Sequence, residues 1–130
     1  MPFLVVATTL GLLGLSTVED LTGSRWHPSA VYANDVSAEE RIFVEFKPDG
    51  KVTGIGGCNR FFGGYAIEGD QIRIGPIAST KMGCPGKFEL ETSFFSALQA
   101  AKSWKRDGTT LMLLDANGQQ LARFFEVGGT

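Results

Sequence analysis

The chain has little of what catalytic and nucleic-acid-binding proteins concentrate. It contains one histidine, His27, and two cysteines, Cys58 and Cys84. Two thiols are too few for a zinc site, and the lone His27 does not complete one. The two cysteines are also too far apart for a Cys-x-x-Cys redox motif. A Ser-His-Asp or Cys-His constellation would have to use His27, which sits between Trp26 and Pro28 and reads as a surface histidine beside a core tryptophan. The carboxylate pairs Glu39/Glu40 and Glu89/Glu91 fall in a loop and at a helix start. Both have ordinary structural explanations, which ranks a two-carboxylate hydrolase below the other readings. The expectation is no enzyme, no metal and no cofactor.

Charge is sparse and unconcentrated. Charged residues make up 20% of the chain, and 12 basic against 14 acidic side chains leave a net charge of −2. The densest basic stretch is Lys102 to Arg106, which is too thin for a phosphate-binding face. Nucleic acid is therefore not an expected partner.

Long hydrophobic runs are missing as well. Residues 3–15, FLVVATTLGLLGL, carry no charge, but a membrane-spanning helix needs about 20 apolar residues. The length suits the apolar region of a secretory signal. Against that, the first basic residue is Arg25, and the following STVEDL is a poor cleavage site. Residues 1–20 read as a signal or export remnant through which the protein could associate with a membrane. The alternative is a buried N-terminal strand or helix. No cysteine lies near residue 20 to take a lipid anchor.

What is abundant is glycine and phenylalanine. Glycine accounts for 17 of 130 residues and phenylalanine for 10, about twice ordinary usage in the case of glycine. So much glycine breaks helices, and so many aromatics argue against disorder. Short strands joined by glycine turns fit best. Arg41 to Lys47 alternates, with Ile42, Val44 and Phe46 on one face. Pro48-Asp49-Gly50 then turns the chain, and Lys51 to Ile55 returns as a hairpin. Further strands are expected over Arg25 to Ala33 (broken at Pro28), Arg60 to Ile67, Gln71 to Gly75 (the sheet continuing through Ile77 to Met82 after Pro76), Ser103 to Arg106, Thr110 to Leu114 and Gln120 to Val127. Asn117-Gly118 marks the last hairpin.

One helix is expected, over about 88–102. Leu90, Phe94, Phe95, Leu98 and Ala101 share its apolar face, and Lys102, Lys105 and Arg106 lie at or beyond its C-terminal end. The fold class is mostly β (α+β): an antiparallel, barrel-like sheet of seven or eight short strands whose open end or seam the helix covers. Residues 21–127 form the domain and 128–130 a tail.

Two glycine-flanked segments hold the cysteines. The run GIGGCNRFFGGY over residues 54–65 lacks the glycine spacing and the following helix of a phosphate cradle. Its glycines suit a bend or bulge at a barrel corner, fixed by Asn59 and Arg60. Cys58 and Cys84 would form one disulfide in an exported protein, closing a loop of about 25 residues worth roughly 3 kcal/mol. In a reducing compartment they would be two buried thiols. The adjacent pairs Phe61/Phe62, Phe94/Phe95 and Phe124/Phe125 read as core and helix packing, or as the lining of an apolar groove in a barrel mouth.

Leu21 to Trp26, Phe46 to Gly50, Gly57-Cys58-Asn59-Arg60-Phe61, Ile74 to Cys84 and Glu91 to Leu98 resemble, in order and spacing, the META/HslJ domain family. The resemblance spans about residues 21 to 127, and GCNR together with STKMGC is its specific part. It implies a mostly antiparallel, barrel-like fold with one helix. It also implies a small protein of the bacterial envelope or periplasm, linked to heat shock and novobiocin resistance. A protozoan member is linked to virulence and secretion. The family has no established catalytic residue, so none is carried over. This chain departs from the pattern at Gly83, where Ala is common, and in lacking a lipid-attachment cysteine.

The expected function is a non-enzymatic envelope domain that binds an apolar small molecule or a partner protein segment. The alternatives are a structural protein–protein interaction domain with no small ligand and, ranked below it, a small hydrolase or inhibitor. Asn59, Arg60, Phe61, Thr80 and Met82 are the candidate contacts, Cys58 and Cys84 the candidate disulfide, and a monomer the expected state.

Overall fold

A computed structural model describes residues 21–128. The apolar segment 1–20 and the last two residues of the 128–130 tail lie outside the described residues. The elements run in the order β1 (Ser24–Val31), β2 (Asn34–Asp35), β3 (Ile42–Phe46), β4 (Lys51–Gly56), β5 (Arg60–Glu68), β6 (Gln71–Ile74), β7 (Ala78–Ser79), α1 (Phe88–Ala100), β8 (Ser103–Asp107), β9 (Thr110–Leu114) and β10 (Gln120–Val127).

Eight of these strands close a barrel in the order β1-β3-β4-β5-β6-β8-β9-β10, and β10 pairs back onto β1. Every pairing is antiparallel. The two-residue strands β2 and β7 are additions that pair with β1 and β5. The barrel proper therefore has eight strands, within the seven or eight expected from the sequence pattern, and the two additions lie outside it. The weakest seam is β6–β8, where Gln71 opposite Ser103 is the sole ladder pair. Main-chain bonds from Ile72 N to Lys102 O and from Trp104 N to Asp70 O extend it on either side, each 3.0 Å long.

Local chemistry explains the hairpins. Between β3 and β4, Gly50 sits at φ 84°, and its N–H donates to Lys47 O at 3.2 Å. Between β9 and β10, Asp115 Oδ1 accepts from the N–H groups of Asn117 and Gln119, and Gly118 takes the positive φ. Pro28 does not end β1. It occupies a point where the β1–β10 register shifts, between Pro28 and Ala30, so its missing N–H falls at an irregularity rather than inside a regular ladder.

The barrel interior is filled. Trp26, Val44, Phe46, Phe61, Leu111, Leu113 and Phe124 project inward and are buried to 1% exposure or less. Trp26 Nε1–H donates to Ser24 Oγ at 2.7 Å, which satisfies its only polar atom. Helix α1 packs against β4, β6, β10 and β1. Those strands lie on different sides of the barrel, so the helix lies across its mouth. Phe94 reaches in between Phe61 of β5 and Phe124 of β10, with ring centroids at 5.9 and 6.4 Å.

The helix is two residues shorter than its sequence pattern. It ends at Ala100, with Ala101 as an extended cap and no basic residue in its last turn. Lys102 belongs to the following connection, where its N–H donates to Leu114 O at 2.8 Å. His27 is another correction. It is buried at 8% exposure and stacks on Phe125 at 4.9 Å.

Candidate functional site

The β4–β5 turn, the segment after β7 and the first turns of α1 meet at one corner of the barrel mouth. Glycine makes the meeting possible. A Cβ on Gly56 would sit 2.6 Å from the Phe95 ring and 3.0 Å from Glu91 Cγ, so the helix can approach this closely only where β4 has no side chain. Gly57 takes φ 106°, which an L side chain adopts only under strain, and the chain then doubles back through Cys58 and Asn59.

Asn59 is the hub. It is 5% exposed, and its amide is fully engaged. Oδ1 accepts from Thr80 Oγ1 at 2.8 Å and from Met82 N at 2.7 Å. Nδ2 donates to Met82 O at 3.2 Å and to Glu91 Oε2 at 2.7 Å. Glu91 Oε1 in turn accepts from the N–H groups of Asn59 and Cys58, at 2.6 and 3.1 Å. One amide and one carboxylate thus fix three chain segments. No buried side-chain polar atom among the described residues is left unpaired.

Cys58 and Cys84 form a disulfide, with Cα atoms 5.9 Å apart. It clamps the segment 80–87 to the β4–β5 turn alongside the Asn59 hub. Lys87 closes the far end of that segment through Glu40, at 2.7 and 3.0 Å from its two carboxylate oxygens. Between this clamped segment and α1 runs an open, mainly apolar groove of about 690 Å³. The disulfide, Met82, Pro85, Phe88 and Phe95 line it, among others. Met82 and Phe88 stand at 61% and 78% exposure.

Five of the seven residues singled out from sequence therefore converge. Cys58, Asn59, Thr80, Met82 and Cys84 all line the groove. Arg60 and Phe61 do not. Arg60 is exposed on the outside of β5, beside a separate depression of about 300 Å³ shared with Arg25, Phe43 and Phe62. Phe61 points inward and is 1% exposed, touching the groove only through its edge contact with the Phe95 ring at 5.1 Å. The bend at Asn59 is held by the side chains of that residue and Glu91; Arg60 contributes its main chain alone, pairing with Ile55 across the turn and accepting from Thr80 N–H at 3.1 Å. Sequence reasoning missed Glu91, which reads as a helix-start acid, and Phe88. The signal for Glu91 is an acid one turn into a helix facing a Gly-Gly turn.

Both ring nitrogens of His27 face main-chain carbonyls. Its Nδ1 lies 2.8 Å from Pro28 O and its Nε2 3.1 Å from Glu40 O. Glu40 contributes a main-chain carbonyl there, while its carboxylate holds Lys87. Among the described residues no cluster of three or more His, Cys, Asp or Glu side chains could hold a metal ion.

The META domain profile matches residues 19–127. The chain belongs to the META domain family. Solved structures repeat this fold. An NMR structure of a protein from Burkholderia xenovorans is 24% identical, with a TM-score of 0.65 over 82% of this chain and 83% of that one. A crystal structure of a DUF4847 family protein from Bacteroides vulgatus is 17% identical, with a TM-score of 0.60 over 81% of this chain and 93% of that one. At these identities the likeness concerns the META barrel and its helix alone. No curated protein matches the chain.

Proposed function

We propose that this META domain is a non-enzymatic, monomeric interaction module that receives an apolar segment of a partner protein in the groove beside the Cys58–Cys84 disulfide. The observation that carries this is the contrast between a filled barrel and an open groove. The interior leaves no room for an acyl chain, because Trp26, Phe46, Phe61, Phe94 and Phe124 occupy it. A small apolar ligand is normally enveloped over most of its surface. This groove is open along its length and suits an occupant that brings its own cover, as a protein segment does. Phe88 and Met82 are large apolar side chains left in water at its rims, the kind of anchors that dominate docking energies.

The disulfide is compatible with an oxidising, exported location, which supports placing the module in the bacterial envelope or periplasm. A part in stress or antibiotic tolerance follows only from the family.

The test is selection of random displayed peptides on the oxidised protein. Apolar-rich peptides that bind Phe88→Ser and Met82→Ser at least tenfold more weakly than the parent are expected. Peptides indifferent to both substitutions would overturn the reading. Both side chains are exposed, so neither change endangers the fold.

A further inference from the structure

The segment that forms one wall of the groove is an unfinished sheet edge. Strand β7 pairs with β5 in the register Phe61 opposite Ser79 and Phe62 opposite Ala78. The chain then stays hydrogen-bonded to the same side at every second residue. Thr80 N–H donates to Arg60 O at 3.1 Å, and Met82 N–H donates to Asn59 Oδ1, with Met82 O accepting from Asn59 Nδ2. The Asn59 amide thus stands in for one more residue of a β5 ladder. In an extended chain the intervening groups point the opposite way. The fold covers the first of these itself, since Ile77 N–H donates to Gln99 Oε1 of α1 at 3.0 Å. Further along, the main-chain N–H groups of Lys81 and Gly83 have no protein partner among the described residues. Both residues are exposed and line the groove.

We propose that the partner segment enters as an added β-strand, hydrogen-bonding its main chain to Lys81 and Gly83 and setting alternate apolar side chains against the disulfide, Met82, Phe88 and Phe95. This rests on the reading of the groove as a protein-docking surface and specifies how that surface recognises its partner. Main-chain pairing supplies affinity and alternate side-chain pockets supply specificity in strand addition.

Charge narrows the partner. The Glu91 carboxylate is spent on Asn59 and Cys58, and Lys87 is spent on Glu40. Lys81 keeps an exposed ammonium whose one side-chain contact is the neutral Ser79 hydroxyl at 3.3 Å. A strand with an acidic residue beside Lys81 is favoured. A second copy of this edge, which would bring Lys81 toward Lys81, is not.

The experiment is an NMR titration of the oxidised, isotope-labelled full chain with a capped octapeptide alternating Val and Glu. Two further versions carry N-methyl groups on alternate amides, one along each edge of the peptide strand. The Lys81 and Gly83 amide signals are expected to shift. N-methylation along one edge should weaken binding at least tenfold, and along the other leave it within about twofold. Equal binding of both methylated peptides, or no shift at Lys81 and Gly83 at millimolar peptide, would overturn strand addition. Neither result touches the docking reading, which stands or falls on Phe88→Ser and Met82→Ser.

Discussion

Asn59 and Glu91, thirty-two positions apart in the chain, are joined twice: main-chain N–H to Oε1 at 2.6 Å and side-chain amide to Oε2 at 2.7 Å. The pair does for the barrel corner what a longer hydrophobic contact does elsewhere. It ties the β4–β5 turn to the helix while the same amide ties that turn to the segment after β7. Asn59→Ala strips partners from Met82 N, Thr80 Oγ1 and the Glu91 carboxylate together. Since leaving buried polar groups unmade costs more than the bonds themselves contribute, a loss of about 3 kcal/mol is expected from urea unfolding. Glu91→Gln keeps one acceptor but can turn an NH₂ toward the Asn59 amide, and about 1–2 kcal/mol is expected. A loss under about 0.5 kcal/mol for Asn59→Ala would show that the network is incidental.

The Cys58–Cys84 disulfide acts on the same corner through the unfolded chain. Closing a loop of sequence separation 26 removes about 3 kcal/mol of unfolded-state freedom in the chain-entropy picture. Reduction, or the double change Cys58→Ser with Cys84→Ser, should lower the urea midpoint by a corresponding amount. The fold should survive, because the Asn59 hub and the Lys87–Glu40 pair hold the segment independently. Global unfolding on reduction at room temperature would count against that division of labour.

Phe61 and Phe62 are neighbours in sequence and opposites in structure, at 1% and 54% exposure. Strand alternation puts one ring among Phe94 and Phe95 and the other in water. Phe61→Ala is expected to cost about 4 kcal/mol, and Phe62→Ala to stay within about 0.5 kcal/mol. Comparable losses for the two would mean that the β5 register is wrong.

That alternation is also why so much of the barrel was legible in sequence. Ile42, Val44 and Phe46 announce a strand with one wet face, and all three are buried. Glycine turns at Gly50 and Gly118 announce hairpins by their own chemistry. What local pattern does not carry is pairing between distant strands. Nothing in Arg25 or Val127 shows that they face each other across the closing seam. The site was half legible for the same reason. The motif around Cys58 and the one before Cys84 could be read as a pair. Glu91 looks like any acid in a first helical turn, and Arg60 reads as part of the site only because it follows Asn59. Alternation after the turn sends its side chain to the outer face.

Two glycines separate steric need from conformational need. Gly54 lies in β4, and a Cβ there would run into the Phe43 carbonyl oxygen and sit 2.8 Å from the Phe61 ring. The carbonyl belongs to the paired strand and cannot move without opening the β3–β4 ladder. Gly54→Ala should therefore cost at least about 3 kcal/mol or prevent folding, as overpacking against backbone does. Gly69, in the β5–β6 turn, has open space for 4 Å around the point a Cβ would occupy, but sits at φ 63°. Gly69→Ala meets only the left-handed penalty of about 1 kcal/mol, and Gly69→Asn less, because asparagine tolerates that region. Thermal unfolding of the three variants should rank them Gly69→Asn, Gly69→Ala, Gly54→Ala in order of increasing damage. Equal damage from both alanine changes would overturn the assignment of Gly54 to the close approach of β3 and β5.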